Sequence, residues 1–525
     1  MQEQKLAFIG RTFKPIYNKD QQLSRIELDK YNVVCIDLSK KQHSFIISKS
    51  GGGKSYLAGV LVEEMIRLME NYAVVVVDPM GIFNTLKLAN NTQEVTKWNE
   101  QVPGDVVAVG MDRCVIWVPS GDKEKFLQGT YDRVFALKAS DFSYGTLCYA
   151  FDMDFLEPQV NLFRKCQAEL RKERGQGYGL EQLIGHVREH GHELGFQVQT
   201  IEALITKLDA LHELGIIDAN APEIHEMICE GNAAIFDVSQ SSGYAAKVLV
   251  NFLAEKILSL RRQITRMVVQ AKVDEQQIEK PGWYIPPVSL VIDEAHNYMQ
   301  QNPVLKKCVK EGRNCGIMLT AISQSPDLTR DVYANITHLL VGPLIYDDDI
   351  AAVRAMLPIE TSPKEFKQKI HKLTKGVFLY FNVDDKTEQL IKVRPRRTLH
   401  PAMTELDDER KYFKKKDRDE SEPIPFAEDF PKLHEEAFST LRRHDKGYEV
   451  GQVRNIVVKG TGVRGRVRIL EKSFVTLPKL PDSFLMLDTA TNSRAAAITK
   501  LNGFYPGNPI LENEPLVLLR LEWVK

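Results

Sequence analysis

One short segment of the chain carries the residues of a phosphate-binding loop. Residues 48–55 read SKSGGGKS and stand between an apolar run and a stretch with helical spacing. Glycines let successive backbone N–H groups turn inward around phosphates, and the start of the following helix adds its positive end. Lys54 is expected to reach the β and γ phosphates, and the Ser55 hydroxyl to hold Mg²⁺. The predicted ATP-binding residues are Ser50, Gly51, Gly52, Gly53, Lys54, Ser55 and Tyr56.

The first position of this loop departs from the usual pattern. A glycine normally begins the loop, whereas Ser48 stands there in this chain. Serine tolerates a positive backbone φ less readily than glycine does. We therefore expect the entry to the loop to differ slightly from its usual geometry.

Two adjacent carboxylates supply the second half of the predicted site. Asp293 and Glu294 follow the apolar run Val288–Ile292, and at the carboxyl edge of a parallel sheet both would lie beside the phosphates. Asp293 is expected to bind the hydration shell of Mg²⁺, and Glu294 to orient and polarise the attacking water. Together the two motifs predict an enzyme that hydrolyses ATP.

The residues around this acidic pair resemble the HerA branch of the HerA/FtsK ATPases. The resemblance rests on DEAHNY at 293–298, EGRNCG at 311–316 and SQSP at 323–326. It implies that Arg313 is an arginine finger for the ATP of a neighbouring subunit, and that Gln324 senses the γ-phosphate. A surface arginine and a polar cap at a strand end are the alternatives for these two residues. The predicted catalytic residues are Glu294, Arg313, Gln324 and Lys54.

The chain also departs from the family in two places. Asp78-Pro79 resembles a family segment, but Gly81-Ile82 follows where the family often has Gly-Glu, so an auxiliary carboxylate near the water is missing. HerA-like proteins usually begin with a β-barrel, whereas 47 residues precede the loop here. We expect that barrel to be absent or replaced by the β-rich C-terminal segment. The resemblance covers about residues 30–90 and 230–400.

The composition is that of an ordinary globular protein. Of 525 residues, 43% are hydrophobic and 26% charged, with a formal net charge of −1, so the chain lacks the global positive field of a free-standing DNA binder. Its seven cysteines include no Cys-x-x-Cys pair and are interpreted as reduced core thiols. The N-terminal residues are too polar for a signal peptide, and the apolar runs are too short for a membrane span. We expect a cytoplasmic protein without a membrane partner.

The apolar runs predict an α/β fold, namely a RecA-like P-loop NTPase core with a mostly parallel sheet flanked by helices. Residues 1–90 and 231–400 are assigned to the two parts of this core. Between them, 91–230 have helical spacing and are interpreted as a helical insertion. Residues 401–447 are rich in charge and proline and predict a linker. Residues 448–525 predict a small β-rich domain, either a barrel or a sandwich.

Three basic clusters and one loop are candidates for contact with nucleic acid. Strand spacing would place the last cluster on one face. A solvated surface or a salt bridge is the alternative for each cluster, and a plain connection is the alternative for the glycine- and serine-rich loop 239–244. The clusters are Lys306, Lys307 and Lys310; Arg394, Arg396 and Arg397; and Arg464, Arg466 and Arg468.

These features predict a homo-oligomeric ATPase, a hexameric ring that binds ATP and Mg²⁺ between subunits and moves double-stranded DNA through its pore. The resemblance also implies a partner such as a nuclease or another effector protein. The alternative is a nucleotide-gated oligomeric scaffold that assembles and regulates a partner nuclease or an antiviral effector. A two-lobed helicase would need a second RecA-like lobe, and nothing after Thr398 provides one.

Overall fold

The computed structural model describes residues 5–17, 23–175, 177–300, 302–326, 330–357, 361–401, 423–444, 447–505 and 509–524. The chain divides into two compact units, Met1–Ala402 and Met403–Lys525. Residues 402–422 of the predicted linker lie outside the described residues.

Among the described residues of the first unit, twelve strands form one sheet. They are β1 (Leu6–Tyr17), β2 (Leu23–Asp37), β3 (His43–Ile47), β4 (Ala73–Asp78), β5 (Cys114–Pro119), β6 (Arg133–Phe135), β7 (Ala233–Asp237), β8 (Val288–Ile292), β9 (Ile317–Ser323), β10 (Ile336–Val341), β11 (Val377–Asn382) and β12 (Thr387–Val393). Their order in the sheet is β2-β1-β12-β11-β10-β3-β9-β8-β4-β7-β5-β6. The eight strands from β10 to β6 run parallel, and the other four are antiparallel to their neighbours.

Helices cover both faces of this sheet. They are α1 (Lys54–Leu68), α2 (Gln93–Gln101), α3 (Tyr144–Ala150), α4 (Pro158–Arg174), α5 (Leu180–His190), α6 (Val198–Glu213), α7 (Ile224–Met227), α8 (Gly243–Val273), α9 (His296–Met299), α10 (Pro303–Cys315), α11 (Arg330–Tyr333), α12 (Asp347–Ala355) and α13 (Pro363–His371). Phe45 and Ile47 pack in one core and Ile46 in the other, as alternation along a strand requires. The predicted mostly parallel α/β core is therefore confirmed.

The predicted helical insertion is wrong for its first part. Residues 91–230 do contain α3 to α6, but β5 and β6 also lie there and extend the parallel sheet beside β7. The run CVIWVP of β5 is short and apolar, as a strand buried in a parallel sheet is. The helical spacing of the residues that follow obscured this strand.

The second unit contains a separate sheet of five described strands. They are β13 (Ile424–Phe426), β14 (Ala437–Arg442), β15 (Val453–Val458), β16 (Gly462–Val475) and β17 (Leu516–Trp523), in the order β13-β15-β16-β17-β14. Two helices, α14 (Asp482–Thr489) and α15 (Arg494–Gly503), separate β16 from β17.

The small β-rich C-terminal domain is confirmed, but two details of its prediction are wrong. Its strands form one open sheet rather than a barrel or a sandwich. The sheet also begins inside the predicted linker, because the apolar residues of β13 and β14 pack into the core of this unit. Charge and proline around these short strands masked them in the sequence.

Within the described ranges, no helix combines the length and the apolar character that a membrane crossing requires.

Candidate nucleotide site

The phosphate-binding loop leaves the sheet at the carboxyl end of β3. This strand lies between β10 and β9, and the loop is attached to both neighbours as it begins. The Ser48 N–H donates to Ser323 O at 3.2 Å, and the Lys49 N–H donates to Pro343 O at 2.8 Å. The loop then enters α1 at Lys54. The sheet edge thus holds the start of the segment predicted to bind phosphates, and α1 continues from its end.

Glycine is required inside the loop for two different reasons. Gly51 and Gly53 have φ values of 73° and 101°, which side chains with a Cβ rarely adopt. Gly52 has no such φ, but a Cβ at this position would lie 1.9 Å from Ser48 Oγ. The Gly52 carbonyl also accepts a hydrogen bond of 3.1 Å from the Gly376 N–H, a contact that the sequence did not reveal.

Ser48 fits its position without backbone strain. Its side chain is fully buried, and its backbone φ is not positive. Its hydroxyl donates to Pro343 O at 3.2 Å. The serine therefore needs no positive φ here, and its hydroxyl adds a hydrogen bond at the entry to the loop that glycine cannot make.

Lys54 and Glu294 form a buried ion pair beside the loop. The Lys54 Nζ lies 3.1 Å from Glu294 Oε1. The Gln324 amide donates to both carboxylate oxygens of Glu294, at 3.1 and 3.0 Å. Glu294 has a φ of 51°, a conformation that is uncommon without glycine and is often found at functional sites. Three of the four predicted catalytic residues therefore converge, from α1, from the end of β8 and from the end of β9.

Asp293 offers oxygen ligands suited to Mg²⁺. Its carboxylate is fully buried, its Oδ1 accepts the Glu294 N–H at 3.0 Å, and its Oδ2 has no hydrogen-bond partner among the described residues. Burial, with the nearby charge of Glu294, raises the pKa of Asp293 to about 6, and the Glu294 N–H, the Lys54 ammonium and the nearby Ser55 hydroxyl oppose this shift. A hard divalent cation prefers such oxygen donors, so Asp293 and Ser55 fit the predicted metal.

Two further buried carboxylates lie at the same edge of the sheet. Asp78 and Asp237 are paired in register at the ends of β4 and β7. Burial and the charge of Asp237 raise the pKa of Asp78 to about 7. Asp78 also accepts the Phe83 N–H at 2.7 Å, and Asp237 accepts the Ser239 N–H at 3.0 Å. Neither residue has a role predicted from the sequence, although each ends an apolar strand.

The Tyr56 side chain points away from the loop. Its hydroxyl donates to Glu94 at 2.7 Å and accepts the Arg396 N–H at 2.8 Å, and its ring contacts His400 edge-on. The backbone of Tyr56 lies in the first turn of α1, and its predicted contact with the nucleotide stays a prediction.

Arg313 lies at the opposite edge of the sheet from the phosphate-binding loop. Its guanidinium donates to Asn335 O and to the Thr337 hydroxyl, both at the amino end of β10. Because β10 is parallel to β3, this end is remote from the carboxyl end of β3, where the loop begins. An arginine that serves the ATP of another subunit need not lie near its own loop, so the arginine-finger role stays a prediction.

The basic cluster at Arg394, Arg396 and Arg397 is not a nucleic acid surface. Arg394 and Arg396 are fully buried. Arg394 pairs with Glu63 at 3.1 Å and with Glu64 at 2.9 Å, both on α1, while Arg396 lies 3.5 Å from Glu63. The cluster fastens the chain after β12 to the helix that follows the loop. The structure therefore favours the salt-bridge alternative here.

The other two basic clusters are more exposed. Lys307 and Lys310 on α10 are exposed, and Lys306 is half-buried. Arg466 and Arg468 on β16 are exposed, whereas Arg464 pairs with Asp429.

The sheet, the loop and the acidic pair define the class of RecA-like P-loop ATPases. Residues 26–257 match the family model described as the central domain of helicase HerA. The match includes the loop and ends before Asp293. This part of the chain is thus similar to the HerA central domain, in agreement with the resemblance of its motifs.

Individual relatives are distant. The chain is 22% identical over 347 residues to the "Probable DNA double-strand break repair helicase HerA" of Methanocaldococcus jannaschii, which covers 60% of this chain and 65% of the relative. The chain thus spans less than two thirds of that relative's length. Among solved structures, the plasmid coupling protein TrwB with ADP and Mg²⁺ is 14% identical, with a TM-score of 0.46 over 75% of this chain and 97% of TrwB. The genome packaging NTPase B204 of Sulfolobus turreted icosahedral virus 2 is 10% identical, with a TM-score of 0.28 over 67% of this chain and 97% of B204.

Proposed function

We propose that this protein hydrolyses ATP to move double-stranded DNA through a homo-oligomeric, hexameric ring. The observation that carries the proposal is the convergence of Lys54, Glu294 and Gln324 beside the glycine loop. A lysine, a carboxylate and an amide so arranged can neutralise phosphate charge, activate water and sense the γ-phosphate. The similarity to a protein described as a DNA repair helicase supports DNA as the substrate.

Lys54 changes partner when ATP binds in this proposal. In the present structure its ammonium pairs with Glu294. The triphosphate, held by the N–H groups of the glycine loop, attracts the ammonium more strongly because it carries more negative charge. Glu294 then loses its cation and accepts a hydrogen bond from the attacking water, while Gln324 holds the carboxylate in place. Substrate binding would thereby activate the group that polarises the water.

Mg²⁺ fits beside this arrangement. Asp293 and Ser55 would hold the ion, directly or through its water shell, and the ion would neutralise charge between the β and γ phosphates. Ser55 ends the phosphate-binding loop and Asp293 begins the acidic pair, so each motif would contribute one residue to holding the ion.

The ring supplies what one subunit lacks. A hydrolysing site needs a cation against the transferred phosphate, and the described Arg313 contacts lie at the far edge of its own sheet. In the proposed hexamer, Arg313 of one subunit serves the ATP of the next.

Exposed basic and aromatic groups are the proposed DNA contacts. Loop 239–244 follows β7 at the nucleotide edge and ends with Tyr244, which is exposed. Lys307 and Lys310 in the first unit, and Arg466 and Arg468 in the second, add positive charge. Phosphate contacts need charge and reach rather than a fixed geometry. A modest patch repeated in six subunits would compensate for the net charge of −1.

The same proposal includes a cellular compartment and a protein partner. All seven cysteines are free thiols, which suits the reducing cytoplasm. A nuclease or another effector is the proposed protein partner.

ATP turnover with and without duplex DNA tests the proposal. We expect purified protein to hydrolyse ATP, and duplex DNA to raise the rate severalfold. Lys54→Ala should remove turnover in both conditions. Lys307→Ala/Lys310→Ala should reduce only the stimulation by DNA, and Lys97→Ala/Lys272→Ala, at two other exposed lysines, is the matched control.

Three results would contradict the proposal in different ways. A rate of ATP hydrolysis that duplex DNA does not change would argue against a DNA motor. Turnover that appears only with a partner protein would favour the scaffold alternative. If Lys54→Ala still hydrolysed ATP, the candidate site would not be the site of hydrolysis.

A further inference from the structure

An apolar groove opens on the first unit next to the phosphate-binding loop. It encloses about 230 Å³ between the β1 strand, β11, β12 and the end of α13. Its apolar lining is Phe13, Pro15, Leu373, Val377, Leu379 and Leu390. Gly376, which precedes Val377, donates its N–H to the Gly52 carbonyl of the loop. The groove therefore adjoins the candidate nucleotide site.

The rim of this groove is positively charged. Lys369 and Lys372 line it together with Glu388, which pairs with Lys369 at 2.7 Å. The surrounding segment, residues 363–375, contains five lysines and one glutamate. An apolar group with acidic neighbours would therefore suit the groove.

The same chain presents such a group at the turn between α3 and α4. Phe155 and Leu156 are 61% and 76% exposed, and residues 151–157 contain three acidic residues and no basic one. Single exposed apolar residues are common on proteins. Two adjacent ones at the tip of an acidic turn present a compact apolar surface.

The turn is held in shape by its own acidic residues. The Leu156 N–H donates to Asp154 Oδ1 at 2.9 Å, and the Asp154 N–H donates to Glu157 Oε1 at 3.0 Å. Lys247 on α8 pairs with Asp152 at 3.0 Å. Because the turn is already ordered, docking Phe155 and Leu156 would require little additional loss of conformational entropy.

We infer that the groove of one subunit receives Phe155 and Leu156 of a second copy of this chain. The inference rests on the proposed ring. The groove lies at β1, β11 and β12, whereas the turn precedes α4 and is tied to α8, so the contact joins two different surfaces. Contacts of this kind repeat head to tail and close into a ring when the rotation allows.

The size of the groove agrees with this occupant. An engineered protein cavity of about 150 Å³ binds benzene, so about 230 Å³ has room for an aromatic ring. Asp154 and Glu157 would then approach Lys369 and Lys372 at the rim. Charge around an apolar centre is the usual arrangement of a protein interface.

Sedimentation velocity of the full-length chain, with Mg²⁺ and a non-hydrolysable ATP analogue, tests this contact. Phe155→Ser/Leu156→Ser should weaken self-association about tenfold or more, because buried apolar anchors dominate interfaces. Leu127→Ser/Val198→Ser removes two exposed apolar residues elsewhere and should assemble as the unaltered protein does. Unchanged thermal unfolding would show that the turn variant is folded.

A second pair of variants tests the groove. Lys369→Glu/Lys372→Glu reverses the rim charge and should weaken assembly similarly, whereas Lys364→Glu/Lys375→Glu makes the same charge change on exposed lysines outside the lining. Each defective variant alone should be monomeric. An equal mixture of the turn and rim variants should form dimers, because one intact groove then meets one intact turn.

The outcomes separate this inference from the proposed ring. If the unaltered protein stays monomeric with the analogue, the ring fails and the contact fails with it. If the unaltered protein and the turn variant assemble equally, the ring stands and the inferred contact is wrong. If only the rim variant loses assembly, the groove has a different occupant, and the assignment of Phe155 and Leu156 is overturned.

Discussion

The ammonium of Lys54 lies 3.1 Å from a carboxylate oxygen of Glu294, in a site where both side chains are about nine-tenths buried. The loop and the acidic pair are far apart in sequence and adjacent in space. In the proposed mechanism the Lys54 ammonium leaves Glu294 for a phosphate. The Glu294 carboxylate is then without its cation.

Replacing Glu294 by glutamine should separate nucleotide binding from hydrolysis. Glutamine keeps the shape and the contact with Gln324 but cannot accept a proton, and loss of a general base typically lowers a rate about 10²- to 10⁴-fold. We expect Glu294→Gln to bind ATP at least as tightly as the unaltered protein. The reason is that ATP binding then no longer requires Lys54 to give up an ion pair with a carboxylate. Calorimetric binding and single-turnover hydrolysis measure the two effects. Normal turnover by this variant would show that another group positions the water.

The loop allows a rescue experiment at Gly52. A Cβ there would lie 1.9 Å from Ser48 Oγ, so Gly52→Ala should distort the loop and reduce ATP affinity about tenfold or more. Ser48→Gly removes the obstructing hydroxyl, and Ser48→Gly/Gly52→Ala should regain much of the affinity. Nucleotide titration by calorimetry compares the three proteins.

Gly51 provides the control for that rescue. Nothing lies within 4 Å of a Cβ at Gly51, but its φ is 73°, so Gly51→Ala weakens binding through backbone strain. Ser48→Gly should not rescue Gly51→Ala. Equal rescue at both positions would mean that the collision with Ser48 is not the cause.

The sequence predicted the core of the site because its signals are local. The glycine loop and the acidic pair each follow an apolar strand, and parallel strands bring their carboxyl ends to one edge. The assignment of Gln324 to the site followed only from the family resemblance, and its contact with Glu294 was not predicted. The roles of Gly376 and Asp237 depend on which strands are neighbours, and no local pattern reveals that order.

The same reasoning explains what the sequence left open and what it predicted wrongly. Arg394 and Arg396 form a basic cluster in the sequence, but the carboxylates that neutralise them are more than 300 residues away on α1. The strands β5 and β13 are short, and their neighbours in sequence are helical or charged. A strand of three to six residues gives too little periodicity to be recognised.

Replacing Arg313 can show whether this residue stabilises the fold, takes part in catalysis, or does both. Its guanidinium donates to Asn335 O and Thr337 Oγ1 at the amino end of β10. Arg313→Ala should therefore lower the free energy of unfolding by about 1–3 kcal/mol, the usual effect of leaving buried acceptors unpaired. If Arg313 also acts as an arginine finger, turnover falls by far more than the unfolded fraction explains. Denaturant unfolding and ATP turnover of the same preparation separate the two roles.

The buried ion pairs of Arg394 should stabilise the helix that carries Lys54. Removing one partner of a buried pair costs about 3–5 kcal/mol, because the other charge stays buried and unpaired. We expect Arg394→Met to lower the free energy of unfolding by that amount. Arg466→Met replaces an exposed arginine and should change it by less than about 0.5 kcal/mol. Urea unfolding measures the stability of both variants. If Arg394→Met is as stable as Arg466→Met, other cations neutralise Glu63 and Glu64 when Arg394 is absent.

Arg394→Met/Glu64→Gln extends this test. Removing one charge from each side should recover part of the lost stability, since fewer unpaired charges stay buried. Additive losses would indicate that Arg394 acts through packing alone.

His338 predicts a specific dependence of stability on pH. Burial lowers the pKa of His338 from 6.5 to about 4, and Arg313 lowers it further, while Asp384, Asp385 and Asp37 oppose the shift. Between pH 6.5 and 4 the unfolded chain binds a proton that the folded chain does not. The stability contributed by neutral His338 is therefore present above pH 6.5 and falls by about 3 kcal/mol as the pH drops to 4.

His338→Gln removes this titration while retaining a polar side chain between Tyr380 and Gln42, the two partners of the imidazole. Whatever its stability at pH 7, the variant should gain about 3 kcal/mol relative to the unaltered protein by pH 4. Urea unfolding followed by tryptophan fluorescence reports mainly on the first unit, which holds Trp98, Trp117 and Trp283 of the four tryptophans. His192→Gln changes an exposed histidine and should leave the pH dependence as it is. A constant difference between His338→Gln and the unaltered protein across this range would mean that His338 is charged in the folded state.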